Sequence, residues 1–460
     1  MRVVVVGGGI AGLAALRRLA ATLPDAELLL VEAEERLGGK LLTERAGGFV
    51  IEGAADSFLS RKQRGVGLVE ELGLGNELVG RRPEHERTFV RRGGELFPLP
   101  TGLTGTIPTN LDALSESDLL SPAGRDRLAA EPEIPVLAGT DDESIAAFVT
   151  RRLGREAYDA LVEPLMTGIF GGDGEHVSLR ATFPGLRTLE LEHGSVLRGL
   201  LAPTAETQAR YPAFVSLRAG MGRLVERLAD RIGAARVLLG RRVDALHSRP
   251  TGYELGLDGG ELVGADAVVL AVPAFAAAPL VAELDGSLAS ELGSIPYASS
   301  AIVTLAYPGE HVASPLAGYG YIVPRTEGSD ILACTWTSSK WEGRSPAGDA
   351  LLRVYVGRHG RPDVTLLDDD ALVALARDEV DFLGVVGAPL LRRIHRWPRG
   401  MPQYALGHPE RVERIEAAVA AHSGLALAGA AYRGVGIPDC ILSGEDAAGA
   451  VASALERVPG

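Results

Sequence analysis

Three glycines near the N-terminus, with one acidic residue after them, have the types and spacing of a nucleotide site. Gly7, Gly9 and Gly12 form G-x-G-x-x-G in "RVVVVGGGIAGLAALRRLA". In such a pattern the first glycine allows a tight turn, the second lets a pyrophosphate approach the backbone, and the third lets helix and strand pack closely. Glu32 stands twenty residues after Gly12, where a carboxylate can accept hydrogen bonds from a ribose diol. The pattern predicts a dinucleotide site.

The elements around these residues are those that such a site needs. Residues 3–6 are a β-branched run typical of a buried parallel strand, and Leu13, Leu16 and Leu19 follow at helical spacing. A second apolar segment, "ELLLV", ends just before Glu32. The sequence therefore predicts strand, glycine turn, helix and strand, with the helix N-terminus facing the phosphates.

Length and composition set limits on the class of protein. A chain of 460 residues predicts two or three domains, and 46% hydrophobic with 23% charged residues is typical of a soluble globular protein. The net charge of −14 argues against nucleic acid as a partner, because phosphate binding needs a basic surface. It leaves room for an anionic small molecule held by a local group of arginines.

Cysteine usage and hydropathy indicate a cytoplasmic protein. Cys334 and Cys440 are the two cysteines, too few for a disulfide framework, and no Cys/His cluster predicts a metal site. No secretory signal is visible at "MRVVVV". The longest apolar run begins at Ala267 and is interrupted by Pro273 and Pro279, so no transmembrane segment is predicted.

The rest of the chain divides into segments with different patterns of predicted strands and helices. "AGMGRLVERLADRI" predicts a glycine turn and a helix, and the segments "RVLLG", "RRVDALHS", "GYELGLDGGELVG" and "ADAVVLAVP" predict strands that return to a sheet. Strand-like runs between about 276 and 394, followed by a helix with an aspartate N-cap cluster, predict an antiparallel sheet able to wall a cavity. Residues 101–211 are poor in strand patterns, and Asp141, Asp142 and Ser144 mark a helix start, so this segment predicts an inserted helical lobe.

Several segments carry a resemblance to known flavoproteins. "AEERLGGK" after Glu32 resembles the extended nucleotide motif of the group that contains amine oxidases, phytoene desaturases and protoporphyrinogen oxidases. "DDESIAAFVTRRLGREAYDALVEPLMTGIFGGD", "RWPRGMPQY" and "AYRGVGIPDCILSG" resemble the oxygen-dependent porphyrinogen oxidases of haem synthesis, with matching segments from Val3 to Leu455. The "GIFGGD" block is not expected in a generic amine oxidase.

The resemblance implies a fold of mixed α/β and α+β class, similar to p-hydroxybenzoate hydroxylase and the amine oxidases. It has a Rossmann-like FAD-binding domain, a mixed-sheet substrate domain and the inserted helical lobe. The implied FAD-binding domain comprises residues 1–75, 212–275 and 395–460, and the substrate domain comprises 76–100 and 276–394, with the lobe at 101–211.

The resemblance also implies non-covalent FAD held from both chain ends. Near the C-terminus, the "LALAG" strand is followed by a glycine turn and an apolar helix. This order would repeat the strand, glycine turn and helix of the N-terminus on the other side of the cofactor, with the helix N-terminus aimed at the cofactor. Cys440 would then be a small packing residue. The predicted cofactor-binding residues are Gly7, Gly8, Gly9, Ile10, Ala11, Gly12, Glu32, Arg36, Gly39, Lys40, Gly53, Ala54, Ala55, Asp56, Val243, Trp397, Gly429, Ala430, Val435, Gly436 and Ile437.

The implied reaction is the six-electron oxidation of coproporphyrinogen III to coproporphyrin III, by three hydride transfers to FAD and reoxidation by O2 to hydrogen peroxide. No G-x-S-x-G, H-E-x-x-H or nucleophile–base pair is found, so no catalytic side chain is predicted. The predicted substrate-binding residues are Arg87, Gly168, Ile169 and Phe170.

Substrate and class leave alternatives open. Protoporphyrinogen IX oxidase is the nearest, but in that type an arginine stands directly before Phe-Val, where this chain has Thr88 and Arg87 is displaced by one residue. A flavin amine oxidase and a flavin-containing porphyrin-binding protein are the other two. Peripheral membrane contact and hand-over of product to a downstream haem-pathway enzyme also stay open.

Overall fold

A five-stranded parallel sheet contains strands from the start, middle and end of the chain. The computed structural model describes residues 1–139, 141–202, 210–233 and 235–457, so parts of the predicted lobe and FAD segments at 140, 203–209, 234 and 458–460 lie outside the described residues. The strand order in this parallel sheet is Arg236–Leu238, Glu27–Val31, Arg2–Val6, Ala267–Leu270 and Leu425–Leu427. Apart from Arg2 at the start of the first strand, the two central strands are apolar, because both faces of the sheet are covered.

Two long helices cover one face of the parallel sheet. Ile10–Thr22 follows the first strand, and Ile437–Glu456 follows the last. They pack closely because Gly444 has no side chain where a Cβ would meet the carbonyl oxygen of Ala11. Both elements match the sequence prediction.

The other face is covered by a separate antiparallel sheet and three helices. The sheet comprises Val243–Ser248, Tyr253–Leu257 and Leu262–Ala265. These segments were predicted as strands, but they do not join the parallel sheet as "ADAVVLAVP" does. Tyr253–Leu257 alternates buried and half-buried residues, so only one of its faces is fully enclosed by the core. The helices Ala274–Val281 and Gly286–Gly293 occupy the start of the 276–394 segment, where the sequence predicts no helix, and His408–Ala420 packs in the same core.

A seven-stranded sheet, the large sheet, forms the second body of the fold. Its strand order is Leu391–Pro402, Tyr297–Pro308, Asp349–Val356, Ile331–Trp336, Gly320–Ile322, Phe89–Arg92 and Glu95–Pro98. Gly320–Ile322 pairs in parallel with Phe89–Arg92 from far earlier in the chain, so the sheet is mixed, as the resemblance implies, and not purely antiparallel, as the strand-like runs alone predict. Strand Leu391–Pro402 runs across the predicted segment boundary at 394 and 395.

Helix Asp369–Val380 packs on one face of the large sheet, and its N-cap Asp368 accepts a hydrogen bond from Ala371 N, as the aspartate cluster predicts.

The helical lobe packs toward the other face of the large sheet. Its helix Ile145–Leu153 begins at Ser144, whose side chain accepts from Ala147 N. The remaining helices of this lobe are Leu111–Ser115, Pro122–Ala129, Arg155–Ala157, the π-helix Tyr158–Val162, Glu163–Phe170, Leu179–Thr182, Pro184–His193 and Val196–Leu201.

Short elements join these bodies. The strands are Thr43–Ala46 with Phe49–Glu52, Leu103–Thr104 with Ile107–Pro108, and Phe58–Leu59, Phe214–Leu217 and Leu78–Gly80. The helices are Gln63–Glu71, Gly222–Ala229, Thr337–Lys340 and His408–Ala420. Across the described ranges, no helix combines the length and apolar character needed to cross a bilayer.

Candidate functional site

The first glycine turn has the backbone geometry that its spacing predicts. Gly7 has a φ of 105°, and a Cβ there would lie 2.6 Å from the carbonyl oxygen of Ala271. A Cβ on Gly12 would collide with the carbonyl oxygen of Gly7. Gly9 differs, because it is the N-cap of helix Ile10–Thr22 and a Cβ built on it meets no atom within 4 Å. Gly7 and Gly12 thus allow close packing, and Gly9 leaves its backbone open to a ligand.

Glu32 is brought to the same turn. It follows the strand Glu27–Val31, and one carboxylate oxygen accepts from Gly8 N at 2.6 Å. The other oxygen accepts from Glu34 N at 2.8 Å. The acidic side chain is therefore fixed beside the glycine turn by two backbone donors, at the position where the sequence predicts a ribose-binding carboxylate.

The "AEERLGGK" segment lies directly against the turn. Gly38 N donates to Gly8 O at 2.8 Å, and a Cβ on Gly39 would lie 3.2 Å from Gly9 Cα. Arg36 donates to Gly39 O at 2.6 Å, which holds the segment in shape. The structure thus brings three separately predicted groups, the glycine turn, Glu32 and residues 36–39, into one cluster.

The remaining residues on this side follow from their elements. Ile10 and Ala11 form the first turn of helix Ile10–Thr22. Lys40 is exposed, and Val243 is buried in a core cluster that includes Val6 and Val31 at the ends of two parallel strands.

Residues 53–56 form a loop held by side chains from distant segments. Gly53 O accepts from Trp397 Nε1 at 2.8 Å, and Ala54 O accepts from Arg353 Nη2 at 2.5 Å. Asp56 O accepts from the hydroxyl of Ser216 at 2.6 Å. Trp397, predicted from its motif, therefore meets the predicted loop directly.

Asp56 is the centre of a buried charge cluster. One of its carboxylate oxygens lies 2.8 Å from Lys340 Nζ, 3.0 Å from Trp341 Nε1 and 3.6 Å from Arg353 Nη1. Burial alone would raise the pKa of the Asp56 carboxyl, but Lys340 and Arg353 hold that pKa below its ordinary value. The side chain is ionised and anchors the loop from behind.

The C-terminal glycine turn is built like the first. Gly429 has a φ of 124° with no atom within 4 Å of a built Cβ, and Gly436 is the N-cap of helix Ile437–Glu456. Ala430 O accepts from the hydroxyl of Tyr404 at 2.7 Å. Val435 packs against the lobe core, whereas Ile437 is buried in the core of the two long helices.

Two residues that support this turn were missed by sequence reasoning. The Tyr404 hydroxyl also accepts from Gly434 N at 2.8 Å, and His408 Nε2 lies 3.0 Å from Tyr432 O. The two rings stack with centroids 4.1 Å apart. Burial lowers the pKa of His408 to about 4, so its ring is neutral at pH 7. Burial raises the pKa of the Cys440 thiol to about 12, so that cysteine stays protonated, as expected of a packing residue.

The predicted substrate residues lie on helix Glu163–Phe170 of the lobe. Gly168 and Ile169 are exposed, and Phe170 is buried against the lobe core, which also contains Val90 and Ile322 of the large sheet. A Cβ on Gly168 would meet no atom within 4 Å.

Glu163 anchors the start of this helix from beneath. It is buried, accepts from Arg325 N at 3.0 Å and from the Thr167 hydroxyl at 2.6 Å, and lies 3.7 Å from Arg358.

Arg87 is not brought to that helix by any hydrogen bond or ion pair among the described residues. It is exposed and precedes strand Phe89–Arg92, on which Phe89 packs with Trp336 on the opposite face from Val90. Thr88 lies two residues before Val90 and therefore shares its face of the strand. The displacement of the arginine by one residue, to position 87, thus changes the face on which it would lie.

Lys340 and Arg353 are the other functional candidates that the sequence analysis missed. The sequence could have indicated Lys340, because only three lysines occur among 46 basic residues. It gives no indication of the role of Arg353, because a single charged residue inside an apolar strand does not show which group it contacts.

A cavity of about 400 Å³ lies elsewhere, between the lobe and the edge of the large sheet. Arg92, Arg155, Glu156 and Asp159 are its charged lining residues, and it contains none of the predicted site residues. We therefore place the candidate site at the glycine turns, on the geometry above. The groups there fit a dinucleotide, because backbone N–H groups and two helix N-termini can donate to phosphates and the Glu32 carboxylate can accept from hydroxyl groups.

Comparisons with known proteins identify the family of the chain. The family model for flavin-containing amine oxidoreductases matches residues 10–452. The chain therefore belongs to the flavin-containing amine oxidoreductase family. This membership confirms the predicted fold class, the flavin cofactor and the assignment as an oxidoreductase.

The relatives point to one branch of that family. Coproporphyrinogen III oxidase of Bacillus subtilis (strain 168) is 35% identical and covers 97% of this chain and 96% of its own. Chloroplastic protoporphyrinogen oxidase 1 of Arabidopsis thaliana is 31% identical over 95% of this chain and 85% of its own. A crystal structure from Exiguobacterium sp. 255-15 matches with a TM-score of 0.88, at 33% identity over 99% of both chains. The resemblance to porphyrinogen oxidases is confirmed.

Proposed function

We propose that this chain oxidises coproporphyrinogen III to coproporphyrin III in haem synthesis, with FAD as cofactor and O2 as the final acceptor. The substrate loses six electrons and six protons, and three molecules of O2 become three of hydrogen peroxide. The observation that carries the proposal is the match along nearly the full chain to the coproporphyrinogen III oxidase of Bacillus subtilis.

The residues assigned to FAD fall into two groups. The first glycine turn, Glu32 and residues 36–40 would hold the nucleotide end, where helix Ile10–Thr22 offers its N-terminus to the phosphates. Residues 53–56, Trp397 and the C-terminal turn would hold the flavin end, where helix Ile437–Glu456 begins. When bound, FAD accepts hydride equivalents, and O2 reoxidises it.

The substrate would lie between helix Glu163–Phe170 and the face of the large sheet that carries Tyr355. Tyr355 is half-buried beside Arg353, and burial raises the pKa of its hydroxyl, so the phenol stays neutral. Exposed Ile169 and open space at Gly168 offer an apolar wall for a flat macrocycle. The task of these residues is to clamp the macrocycle and exclude water, and the gain of aromaticity supplies driving force.

The proposal is tested by anaerobic mixing of FAD-loaded protein with coproporphyrinogen III, followed through the flavin absorbance. Each substrate carries six electrons and each flavin takes two, so complete bleaching is expected at one porphyrinogen per three flavins. Under air, three peroxides per coproporphyrin are expected. A flavin that stays oxidised would overturn the proposal.

Parallel reactions separate the alternatives. Protoporphyrinogen IX is expected to bleach the flavin more slowly than coproporphyrinogen III, and the reverse order would assign the chain to the other substrate. Bleaching by an amine alone would make it an amine oxidase. Tight binding of coproporphyrin without peroxide formation would make it a porphyrin-binding protein.

A further inference from the structure

The loop at residues 53–56 has its carbonyl groups turned into the protein. Trp397 Nε1 donates to Gly53 O at 2.8 Å, and Arg353 Nη2 donates to Ala54 O at 2.5 Å. The two donors come from different strands of the large sheet, Leu391–Pro402 and Asp349–Val356. The orientation of two consecutive peptide groups is thereby fixed from one side.

The orientation of the carbonyls determines that of the N–H groups. Both peptide bonds are trans, so the N–H of Ala54 points opposite to Gly53 O, and the N–H of Ala55 points opposite to Ala54 O. Neither N–H donates to an acceptor within the described part of the chain. Ala55 is exposed, and buried backbone donors without partners are rare in proteins, so this pair faces a ligand or solvent.

Arg353 is enclosed beside a carboxylate and an aromatic ring. Its side chain is fully buried, its Nη1 lies 3.6 Å from the Asp56 carboxylate, and its guanidinium lies 5.2 Å from the centre of the Tyr355 ring. Lys340 lies 2.8 Å from the same carboxylate. These groups enclose the guanidinium whose Nη2 donates to the Ala54 carbonyl.

We propose that Arg353, with Trp397, is a positioning residue that presents the Ala54 and Ala55 N–H groups as donors to the flavin ring. This inference rests on the proposed FAD site. A reduced flavin is richer in electrons than an oxidised one, so donors of this kind stabilise the reduced form more and raise the flavin midpoint potential. Lys340 and Asp56 act behind Arg353, by fixing its place.

Two variants test this without any porphyrinogen. Trp397→Phe removes the indole N–H donor and keeps an aromatic ring, and it should weaken FAD binding about threefold to tenfold, the range for loss of one hydrogen bond. Arg353→Met should lower the midpoint potential by about 30 mV, which corresponds to a tenfold preferential loss of reduced flavin. Arg353→Lys, which keeps the charge and one donor, should recover part of both values.

The matched control is Arg358→Met. Arg358 is an equally buried arginine that donates to Val323 O and Ile331 O and makes no hydrogen bond or ion pair with the loop. It should lower stability while the midpoint potential stays at the wild-type value. A wild-type potential and FAD affinity in both Trp397→Phe and Arg353→Met would overturn the inference, and so would an equal potential shift in Arg358→Met. Since no substrate is used, these results are independent of the proposed reaction.

Discussion

At the scale of single residues, Gly168 gives the sharpest test of where the substrate lies. It sits on helix Glu163–Phe170, is exposed, and has open space where a side chain would go. We predict that Gly168→Leu raises KM for coproporphyrinogen III at least about tenfold, since a side chain in the open space beside Gly168 would cost more than about 1.4 kcal/mol of binding. FAD content should not change, because the helix contributes no predicted cofactor residue. Initial rates and flavin spectra measure both.

Gly185→Leu is the control for that prediction. Gly185 lies on helix Pro184–His193 of the same lobe, is exposed, and also has no atom within 4 Å of a built Cβ. The change of residue type and the helical setting are the same as at Gly168, but helix Pro184–His193 carries no predicted substrate residue. Gly185→Leu should therefore leave KM unchanged. Equal effects of the two substitutions would show that Gly168 is not part of the substrate site.

At the scale of elements, the contact between the two long helices controls the spacing of the predicted cofactor turns. A Cβ on Gly444 would meet the carbonyl oxygen of Ala11 and would lie 3.1 Å from Ala15 N, both of them backbone atoms. Gly444→Ala should therefore push Ile437–Glu456 away from Ile10–Thr22 and cost about 1–3 kcal/mol of stability. Urea unfolding and FAD titration should show a lower midpoint and a weaker Kd.

The same helix supplies the matched substitution. Gly449 has no atom within 4 Å of a built Cβ, so Gly449→Ala should stabilise the protein by up to about 1 kcal/mol through helix propensity alone. If Gly444→Ala were as stable as Gly449→Ala, the close helix contact would not hold in solution.

Elements were predictable where a local pattern decides them. The first strand and helix, the N-cap at Ser144 and the C-terminal helix each follow from periodicity or capping residues within a few positions. The parallel pairing of Gly320–Ile322 with Phe89–Arg92 was not, because partners over two hundred residues apart leave no local trace. The same limit applies to Arg353, whose role arises when its strand crosses the loop at Ala54.

At the scale of the whole molecule, the candidate site is assembled from both ends of the chain. In the proposed assignment, residues 7–40 would hold the nucleotide, and residues 53–56, Trp397 and residues 429–437 would hold the flavin. These parts meet because the strand Leu425–Leu427 pairs with Ala267–Leu270, which pairs in turn with Arg2–Val6. A ligand that spans both sides should therefore protect segments that are distant in sequence.

Amide hydrogen exchange with two ligands tests whether FAD contacts both groups of residues. FAD should slow exchange at residues 7–12 and also at residues 53–56 and 429–437, because its flavin would engage the second group. ADP, which lacks the flavin, should protect only the first group. At a hundred times its Kd, FAD should stabilise the fold by about 2.7 kcal/mol, seen as a higher unfolding midpoint. Protection by FAD that stops at residues 7–12 would place the flavin outside the C-terminal turn, and ADP protection at residues 429–437 would mean that the turn responds to the nucleotide instead.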